Sequence, residues 1–438
     1  MSLLAVPASF PPEIGFNALQ AMLKGRSVLP ALELFYQSMG EVFQIPLPGF
    51  NPVFLVGPEA NRFVLATDRE KFLWRPEGDP VARLLRQGVL VTDGDFHDEI
   101  RHKLNPSLHK SLLSGYGDIM VRCTDRVTSA WKGRAVVDML AEMRRLALMI
   151  LMECLFDVDI GPDLQVLWQS ILHTLAYISP GAWVFWPGIP RPGYQKHLRK
   201  MDEYLYHLIR LRRKATPSND LLSLLIADSA MNDDLIRDQL LTLFIAGHDT
   251  STALLSWTLY LLGKHTGIMD RLSREVIAAL GSDLPTMERA GEIAYLDRVV
   301  KESLRLYPPI HIGMRRAAVD LTFRNYHIPA GTRVVYSIFL SHRQPQYWPD
   351  PLKFDPERFT PEINRMRLPY TYVPFGGGPR NCIGMAFAQV EAKVILARLL
   401  QQFEFQLLPG KVYAHMGATL EPRPGVRMKV TRRLYDLS

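Results

Sequence analysis

Cysteine is scarce in this sequence, and long apolar runs are absent. Only three cysteines occur among the 438 residues: Cys123, Cys154 and Cys382. Three thiols cannot all pair, and the first two lie in apolar, helix-like runs, so we expect core thiols in a reducing compartment. No apolar run reaches the ~20 residues that span a bilayer, and no basic stretch precedes an apolar core at the N-terminus. These absences predict a cytoplasmic protein without a secretion signal or a transmembrane anchor.

The sequence also lacks internal repeats, low-complexity tracts and a basic arm. Its formal net charge is +7 and its pI is about 9.2. Because its basic residues form no nucleic-acid-binding motif, we predict no nucleic-acid partner. The mild positive excess favours acidic partners or anionic surfaces, and an ordinary solvated basic surface is the simpler interpretation.

Helical periodicity dominates the chain. Helices are predicted at 58–67, 97–113, 136–155, 233–264, 288–306 and 384–403, a hairpin at 41–56 with its turn at Pro48 and Gly49, and strand-like runs at 321–329 and 332–340. The helix at 233–264 would span ~45 Å and is apolar nearly all round, which is typical of a buried central helix. Although length alone favours two domains, this pattern predicts a mainly α fold with a small β portion, in a single domain over residues 1–438.

The stretch FGGGPRNCIG, from Phe375 to Gly384, combines four glycines with the third cysteine. Glycines let a backbone pass close to a neighbour, and a thiolate is a strong, polarisable metal ligand. Zinc sites use several N or S ligands at close spacing, and Cys382 has no nearby His or Cys. One thiolate is sufficient when a porphyrin supplies the four in-plane ligands. A tight glycine-rich turn with a buried structural cysteine is the alternative.

Five residues of this stretch match a known spacing: Phe375, Gly378, Arg380, Cys382 and Gly384. The pattern resembles the haem-binding signature of the cytochromes P450, the haem-thiolate monooxygenases. The resemblance implies haem b (iron protoporphyrin IX) beside the central helix, with the Cys382 thiolate as axial ligand and protein metal ligand. It also implies that Phe375, Arg380 and Gly384 bind the cofactor, Arg380 by pairing with a propionate.

Two more motifs follow the order of this family. KESLRLYPP places Glu302 and Arg305 three residues apart on one helix, where they can form an ion pair. A lone pair of this kind is usually solvated and stabilises little. DPERF follows, and the resemblance implies that Arg358 completes a buried, structural Glu-Arg-Arg cluster that holds the cysteine loop.

The central helix carries AGHDTS at residues 246–251. A glycine inside a helix costs roughly 0.5–1 kcal/mol relative to alanine, and a threonine hydroxyl can bond back to an earlier carbonyl and bend the helix. The resemblance implies that Asp249 and Thr250 are catalytic and deliver protons to bound oxygen, with Ala246 at the cofactor. His248 is expected to point away from oxygen. A polar patch at a helix kink is the alternative.

Basic residues elsewhere match the family's propionate ligands. GDFHDEIRHKL places His97 and Arg101 four residues apart, and both are expected to bind the propionates; a solvated charged helix face is the alternative. Arg315 and Arg316 follow the Pro308-Pro309 turn, and one of them is expected to reach a propionate, with Arg316 preferred.

The resemblance also indicates which segments line a substrate pocket, and their apolar side chains predict a lipophilic substrate. The lining residues would be Leu84, Leu85, Val89, Phe244, Ile310, Ile312 and Met416. Ordinary core packing competes with this role at every one of these positions. The aromatic stretch from Trp183 to Trp186 lies where the family has a mobile substrate lid, and membrane contact is its alternative role. Fatty acid, terpenoid and steroid-like substrates all remain open.

The implied reaction is insertion of one oxygen atom of O2 into a C–H or C=C bond. Electrons would come from NAD(P)H through a separate ferredoxin with its reductase, or a flavodoxin, to a monomeric enzyme. A peroxide-driven haem peroxygenase and a non-catalytic haem sensor or carrier are the alternatives. The acid–alcohol pair Asp249-Thr250 argues against both.

Overall fold

The structure is a computed structural model that describes residues 5, 7–46, 49–74, 79–108, 114–133, 135–181, 183, 189–216 and 218–433. The predicted turn residue Pro48 and all of the aromatic stretch 183–186 except Trp183 lie outside the described residues. Within the described ranges, no helix is both long and apolar enough to cross a membrane.

Helices form most of the molecule. They are α1 (Pro12–Gly25), α2 (Leu29–Met39), α3 (Pro58–Arg62), α4 (Pro80–Leu85), α5 (Gly94–Leu108), α6 (Gly117–Ser129), α7 (Met139–Phe156), α8 (Leu164–Ile178), α9 (Gln195–Lys214), α10 (Leu221–Ala227), α11 (Asp233–Lys264), α12 (Thr266–Leu280), α13 (Met287–Glu292), α14 (Ala294–Leu306), α15 (Ile338–Ser341), α16 (Pro361–Met366) and α17 (Met385–Gln402). A π-helical turn (Phe63–Thr67) follows α3, and single 3-10 turns lie between several helices.

The strands are short and form four small sheets. They are β1 (Ala8–Ser9), β2 (Val42–Gln44), β3 (Val53–Leu55), β4 (Phe72–Leu73), β5 (Val136–Asp138), β6 (Ile312–Ala317), β7 (Leu321–Phe323), β8 (Tyr326–Ile328), β9 (Arg333–Ser337), β10 (Phe403–Leu407), β11 (Tyr413–Met416), β12 (Leu420–Arg423) and β13 (Arg427–Arg432). The largest sheet has the order β1-β2-β3-β9-β6-β4, and a second has the order β10-β13-β5. Two hairpins, β7–β8 and β11–β12, complete the set, so the predicted mainly α fold with a small β portion is confirmed.

The central helix α11 organises the core. Its first turn is capped by Asn232, whose side-chain oxygen accepts the Leu235 N–H at 2.8 Å, and it begins with two acidic residues that complement the helix dipole. It packs most extensively on α7. A Cβ at Gly247 would lie 2.6 Å from Leu151 Cδ1 of α7, so the glycine in AGHDTS lets the Leu151 side chain pack directly on the α11 backbone.

Several predicted boundaries are wrong. The helix predicted from Val136 begins only at Met139, because residues 136–138 form β5 and pair with β13. The helix predicted at 288–306 is two helices that meet at Ile293, and the one predicted at 58–67 becomes a π-helical turn after Arg62. The predicted hairpin is confirmed as the antiparallel pair β2–β3, and the last predicted helix is confirmed as α17.

Candidate functional site

The loop from Phe375 to Gly384, called the cysteine loop here, is held in a close turn. The Cys382 N–H donates to the Phe375 carbonyl oxygen at 2.8 Å. Gly378 has a φ of +66°, and a Cβ there would lie 2.2 Å from the Leu65 carbonyl oxygen in the π-helical turn. Only glycine allows both this backbone conformation and this approach, so the loop rests directly on the π-helical turn.

Cys382 differs from the two other cysteines in its surroundings. The side chains of Cys123 and Cys154 are buried, whereas that of Cys382 is exposed. Protein atoms nevertheless surround Cys382 at longer range, and this burial raises the pKa of its thiol. The Gly384 N–H and the Arg101 guanidinium act in the opposite direction and favour the thiolate. The thiol therefore faces an internal space that has positive charge beside it.

One turn of α11 interrupts an otherwise buried stretch. Between residues 235 and 259 every residue is buried except Ala246, Gly247 and Thr250, which are half-buried. The Thr250 hydroxyl donates to the Ala246 carbonyl oxygen at 2.7 Å, with the Gly247 carbonyl oxygen 3.4 Å away. This is the back-bonded threonine expected from the sequence, at the one turn of this stretch that has accessible atoms.

Asp249 lies in a buried ion-pair network that local motifs did not reveal. Its carboxylate accepts from Arg144 at 3.1 Å and from the Thr419 hydroxyl at 2.8 Å. Arg144 also donates to Glu421 at 2.6 Å, and Arg423 donates to the other oxygen of Glu421 at 2.6 Å. The carboxylate is thus tied to α7 and to the β11–β12 hairpin. The adjacent Thr250 hydroxyl bonds within its own helix.

His248 is buried, and its Nδ1–H donates to the Phe244 carbonyl oxygen of the preceding turn. Burial lowers the pKa of His248 to about 4, so the imidazole is neutral at physiological pH.

The structure brings His97, Arg101 and Arg380 together at the cysteine loop. Arg101 Nη2 donates to Asn381 Oδ1 at 3.0 Å, and Arg380 Nε donates to His97 Nε2 at 3.3 Å. The other ring nitrogen of His97 lies 2.8 Å from Asp98 Oδ1, and burial lowers the pKa of the His97 imidazole. A neutral His97 and two guanidinium groups therefore meet beside Cys382.

Arg315 joins this group, whereas the preferred Arg316 does not. Arg315 is buried, and its guanidinium carbon lies 3.4 Å from the centre of the Trp74 ring; that of Arg380 lies 4.4 Å from the same ring. Arg316 is exposed, because successive side chains of β6 point to opposite faces of the sheet. Of the two arginines, the structure therefore places Arg315 and not the preferred Arg316 beside Trp74 and Arg380. No sequence motif indicated Trp74.

The structure also assembles the cluster of Glu302, Arg305 and Arg358. Arg305 donates to both Glu302 oxygens at 2.7 and 2.8 Å, and Arg358 Nε lies 3.4 Å from Glu302 Oε1. Burial raises the pKa of Glu302, and Arg305 opposes that shift. Arg305 additionally donates to the carbonyl oxygens of residues 342, 351 and 353, so the cluster fixes the chain that leads to the cysteine loop.

The proposed pocket residues divide into two groups. Leu84, Leu85, Val89 and Phe244 are buried in the largest apolar core, as ordinary packing residues are. Three others remain accessible: Ile312 and Met416 are half-buried, and Ile310 is exposed.

One buried acid was not found from the sequence. Glu391 of α17 accepts a hydrogen bond from the Ser251 hydroxyl, next to Thr250 in α11, and burial raises the pKa of its carboxyl to about 8. This contact joins the helix that follows the cysteine loop to the accessible turn of the central helix. The sequence QVEAKV around Glu391 alternates polar and apolar residues, so it gave no signal that distinguishes this acid from a surface glutamate.

The residues present fit a haem. A single accessible thiol lies on a glycine-shaped loop, and one half-buried turn with small side chains interrupts the buried stretch of α11. Arg101, Arg315 and Arg380 supply positive charge for carboxylates beside that loop.

Comparison with known proteins agrees with this geometry. The family model described as Cytochrome P450 matches residues 9–422. The chain is a cytochrome P450. It is 33% identical to a Synechocystis sp. protein named cytochrome P450 120, over 92% of this chain and 91% of that protein. It is 30% identical to cyclooctatin synthase of Streptomyces melanosporofaciens, over 88% of this chain and 86% of that protein.

Among solved structures, retinoic acid-bound cyanobacterial CYP120A1 matches with a TM-score of 0.83 and 29% identity, over 98% of this P450 and 100% of that chain. The heme domain of cytochrome P450DA matches with a TM-score of 0.87 and 27% identity, over 99% of this chain and 98% of that one. Membership of the family makes this protein a monooxygenase with a haem-thiolate cofactor, an oxidoreductase of the kind that takes electrons from redox partners.

Proposed function

We propose that Cys382 is the thiolate ligand of the haem iron and that this P450 oxidises a lipophilic small molecule. The observation that supports this most directly is the meeting of one accessible cysteine with His97, Arg101 and Arg380. A bound haem supplies the activation of O2, because a thiolate ligand favours O–O cleavage. Phe375 and Gly384 frame the loop from its two ends, and Ala246 flanks the cofactor from α11.

The basic residues around the loop orient the cofactor. Arg101, Arg315 and Arg380 would pair with the two propionates. His97 would bind one of them through its Nδ1–H, which would then leave Asp98 Oδ1, because its Nε2 accepts from Arg380 Nε. Arg315 takes the place that the sequence favoured for Arg316, because only Arg315 shares the Trp74 ring with Arg380.

Thr250 and Asp249 have separate tasks in our proposal. The Thr250 hydroxyl would hold a proton at Oγ1 on the accessible turn of α11, where it donates to the Ala246 carbonyl oxygen in this structure and would act as the general acid on the cofactor side. Asp249 supplies protons to that turn from the interior. Its carboxylate must first break its hydrogen bonds with Arg144 and Thr419, so these two residues control how often it can do so.

The substrate is an elongated apolar molecule of isoprenoid type. Ile310, Ile312 and Met416 are the apolar side chains that remain accessible among the predicted lining residues, whereas Leu84, Val89 and Phe244 are buried in the main core. A relative of known structure holds retinoic acid, an isoprenoid carboxylic acid. Electrons come from NAD(P)H through a separate ferredoxin or flavodoxin, whose acidic surface suits the net charge of +7.

Cys382→Ala tests the ligand assignment. We expect the red-shifted Soret band of the reduced, carbon-monoxide-bound protein to disappear, because alanine has no sulfur that could bind the iron. Cys123→Ala is the matched control and is expected to keep that band. An unchanged band in Cys382→Ala would refute the assignment.

Titration of the ferric protein with retinoic acid, lauric acid and testosterone tests the substrate class. A Soret shift to high spin that is strongest with retinoic acid is the expected result. A shift with lauric acid or testosterone alone would replace the isoprenoid class by fatty acids or steroids.

A further inference from the structure

Residues 84–93, called the strap here, connect the central helix to the cysteine loop. Gln239 of α11 holds the strap through both ends of its amide. Its Oε1 accepts the Val89 N–H at 2.9 Å, and its Nε2 donates to the Gln87 carbonyl oxygen at 2.9 Å. Gln239 is fully buried, so its bond to Val89 is shielded from water and its bond to Gln87 is partly shielded.

The two residues before Gln239 bind the same strap. Asp238 Oδ2 accepts the Gln87 N–H at 3.1 Å, and Arg237 Nη1 donates to the Leu84 carbonyl oxygen at 2.9 Å. Both side chains are 2% exposed. Three consecutive side chains of one helix therefore form hydrogen bonds with backbone groups of the strap. Apolar packing between a helix and a loop would need none of these bonds.

The strap approaches α11 most closely at Gly88, which has no side chain. A Cβ at Gly88 would lie 1.9 Å from Thr242 Oγ1 and 3.1 Å from the Asp238 carbonyl oxygen. No larger residue fits at this position unless the strap moves away from the helix.

Arg86 shows that the strap is held against a local conformational cost. Its φ is +51°, a left-handed value that a non-glycine residue rarely adopts. Its guanidinium lies 3.5 Å from both Asp202 and Tyr206 of α9, and Arg237 Nε donates to the same Asp202 at 2.8 Å. Helix α9 thus braces the strained residue.

The far end of the strap is fixed to the cysteine loop. Arg380 donates to the Thr92 carbonyl oxygen and, at 2.7 Å, to Asp93. Asp93 also accepts the Trp74 N–H at 3.1 Å. Between the two anchors, Leu90 and Val91 are partly exposed apolar side chains on the main core. The strap therefore closes one side of the space between α11 and Cys382.

We infer that Gln239, with Arg237 and Asp238, is a positioning residue that fixes the strap as a preformed wall and so determines which apolar ligands reach the iron. This inference rests on the proposed function, because it takes the space beside Cys382 as the ligand pocket. A strap with a fixed position selects ligands by their shape. Small ligands enter whatever its position, whereas bulky ligands must fit beside Leu90 and Val91.

Two azoles that bind haem iron test this without a known substrate. Imidazole and 4-phenylimidazole are titrated into the ferric holoenzyme, and the Soret shift gives each Kd. We expect Gln239→Leu to change the ratio of the two Kd values by at least about fivefold, which corresponds to the loss of roughly one buried hydrogen bond. The control is Gln401→Leu, because Gln401 is equally buried and donates at 2.8 Å to the carbonyl oxygens of Gly281 and Asp283, away from the strap. Its ratio is expected to stay within about twofold of the wild type.

Gly88→Ala gives a second, independent change, and it decides the question if Gln239→Leu does not load haem. The added methyl must push the strap from α11, so the ratio is expected to move as in Gln239→Leu. Adding Thr242→Ala removes the Oγ1 atom that the methyl would strike, and the double variant is expected to recover most of the wild-type ratio. A simple loss of stability would not be reversed in this way.

The outcomes separate this inference from the proposed function. If the wild-type protein gives no thiolate Soret band with carbon monoxide, the proposed function fails. If that band is present and the ratio is unchanged in Gln239→Leu and in Gly88→Ala, the strap inference is overturned. An equal change in Gln401→Leu would overturn it as well.

Discussion

At the scale of single residues, Glu391 is a carboxylic acid that its surroundings keep neutral. It is 1% exposed, its one neighbouring hydroxyl is that of Ser251, and burial raises its pKa to about 8. An unfolded glutamate titrates near ~4.3. Between these two values the folded protein holds a proton that the unfolded chain has released. Raising the pH through this window therefore lowers the free energy of unfolding.

Glu391→Gln is expected to remove that part of the pH dependence, because an amide does not titrate. Denaturant unfolding at pH 5.5 and 7.5 measures it: the loss of stability with rising pH should be smaller in the variant by roughly 2–3 kcal/mol. Glu404→Gln changes an exposed glutamate and should follow the wild type. Equal pH dependence in Glu391→Gln and the wild type would contradict the assignment.

Arg144 contacts both Asp249 and Glu421, which are buried. Arg144→Met removes the guanidinium from Asp249, whereas Glu421 keeps its ion pair with Arg423, so we expect a loss of about 3–5 kcal/mol in the free energy of unfolding from the buried Asp249 charge. Arg145→Met is the matched control at the next position. The Arg145 side chain is 40% exposed and lies 3.4 Å from Glu142, so its loss should cost about 0–1 kcal/mol. Similar small losses in both variants would show that the Arg144 network is not a buried charge cluster.

At the scale of elements, the cysteine loop and the π-helical turn touch with no space for a side chain. Gly376 and Gly378 both have left-handed φ values, +72° and +66°, but a Cβ at Gly376 meets nothing within 4 Å, whereas one at Gly378 meets the Leu65 carbonyl oxygen. Substitutions at these two glycines therefore distinguish the effect of backbone strain from the effect of a steric clash.

Gly378→Ala is expected to abolish the carbon-monoxide Soret band, because the loop must leave the π-helical turn. Gly376→Ala carries only the conformational cost of about 1 kcal/mol and is expected to keep the band. Haem content and the band, measured on both purified variants, check this. Retention of the band in Gly378→Ala would show that the contact with residues 63–67 is dispensable.

Elements whose character is local were predictable, and those fixed by distant partners were not. The apolar pattern of α11 and the glycines before α17 are visible in a short window. Residues 136–138 read as helix because their partner strand β13 lies at the far end of the chain. The alternation along β6, which buries Arg315 and exposes Arg316, became visible only once residues 312–317 were known to be a strand.

At the scale of the whole molecule, the positive charge has a kinetic consequence. A net charge of +7 would attract an acidic electron donor of the kind proposed above, and salt screens such an attraction beyond a Debye length. We expect the bimolecular rate of reduction by an acidic ferredoxin to fall about tenfold or more between 20 and 300 mM NaCl. Carbon monoxide binding to the reduced protein is the uncharged control and should not respond. A reduction rate that ignores salt would contradict electrostatic steering.

Contacts between distant parts of the chain account for the site residues that the sequence motifs did not indicate. The signature residues lie within ten positions of each other, and a family pattern identifies them from sequence. The partners of Asp249 come from α7 and from the β11–β12 hairpin, and the strap's anchors come from α11 and the cysteine loop. Such contacts exist only after the chain has closed on itself.

The pairing of β5 with β13 joins two strands that the ribosome makes at very different times. Val137 needs Met428 as its partner, so the strand leaves the ribosome long before its neighbour exists. At about 5–20 residues per second, the intervening roughly 300 residues take on the order of 15–60 s to translate. For that time the edge of β5 is open to other strands, and a nascent chain stalled before β13 should be a chaperone client while the released protein is not.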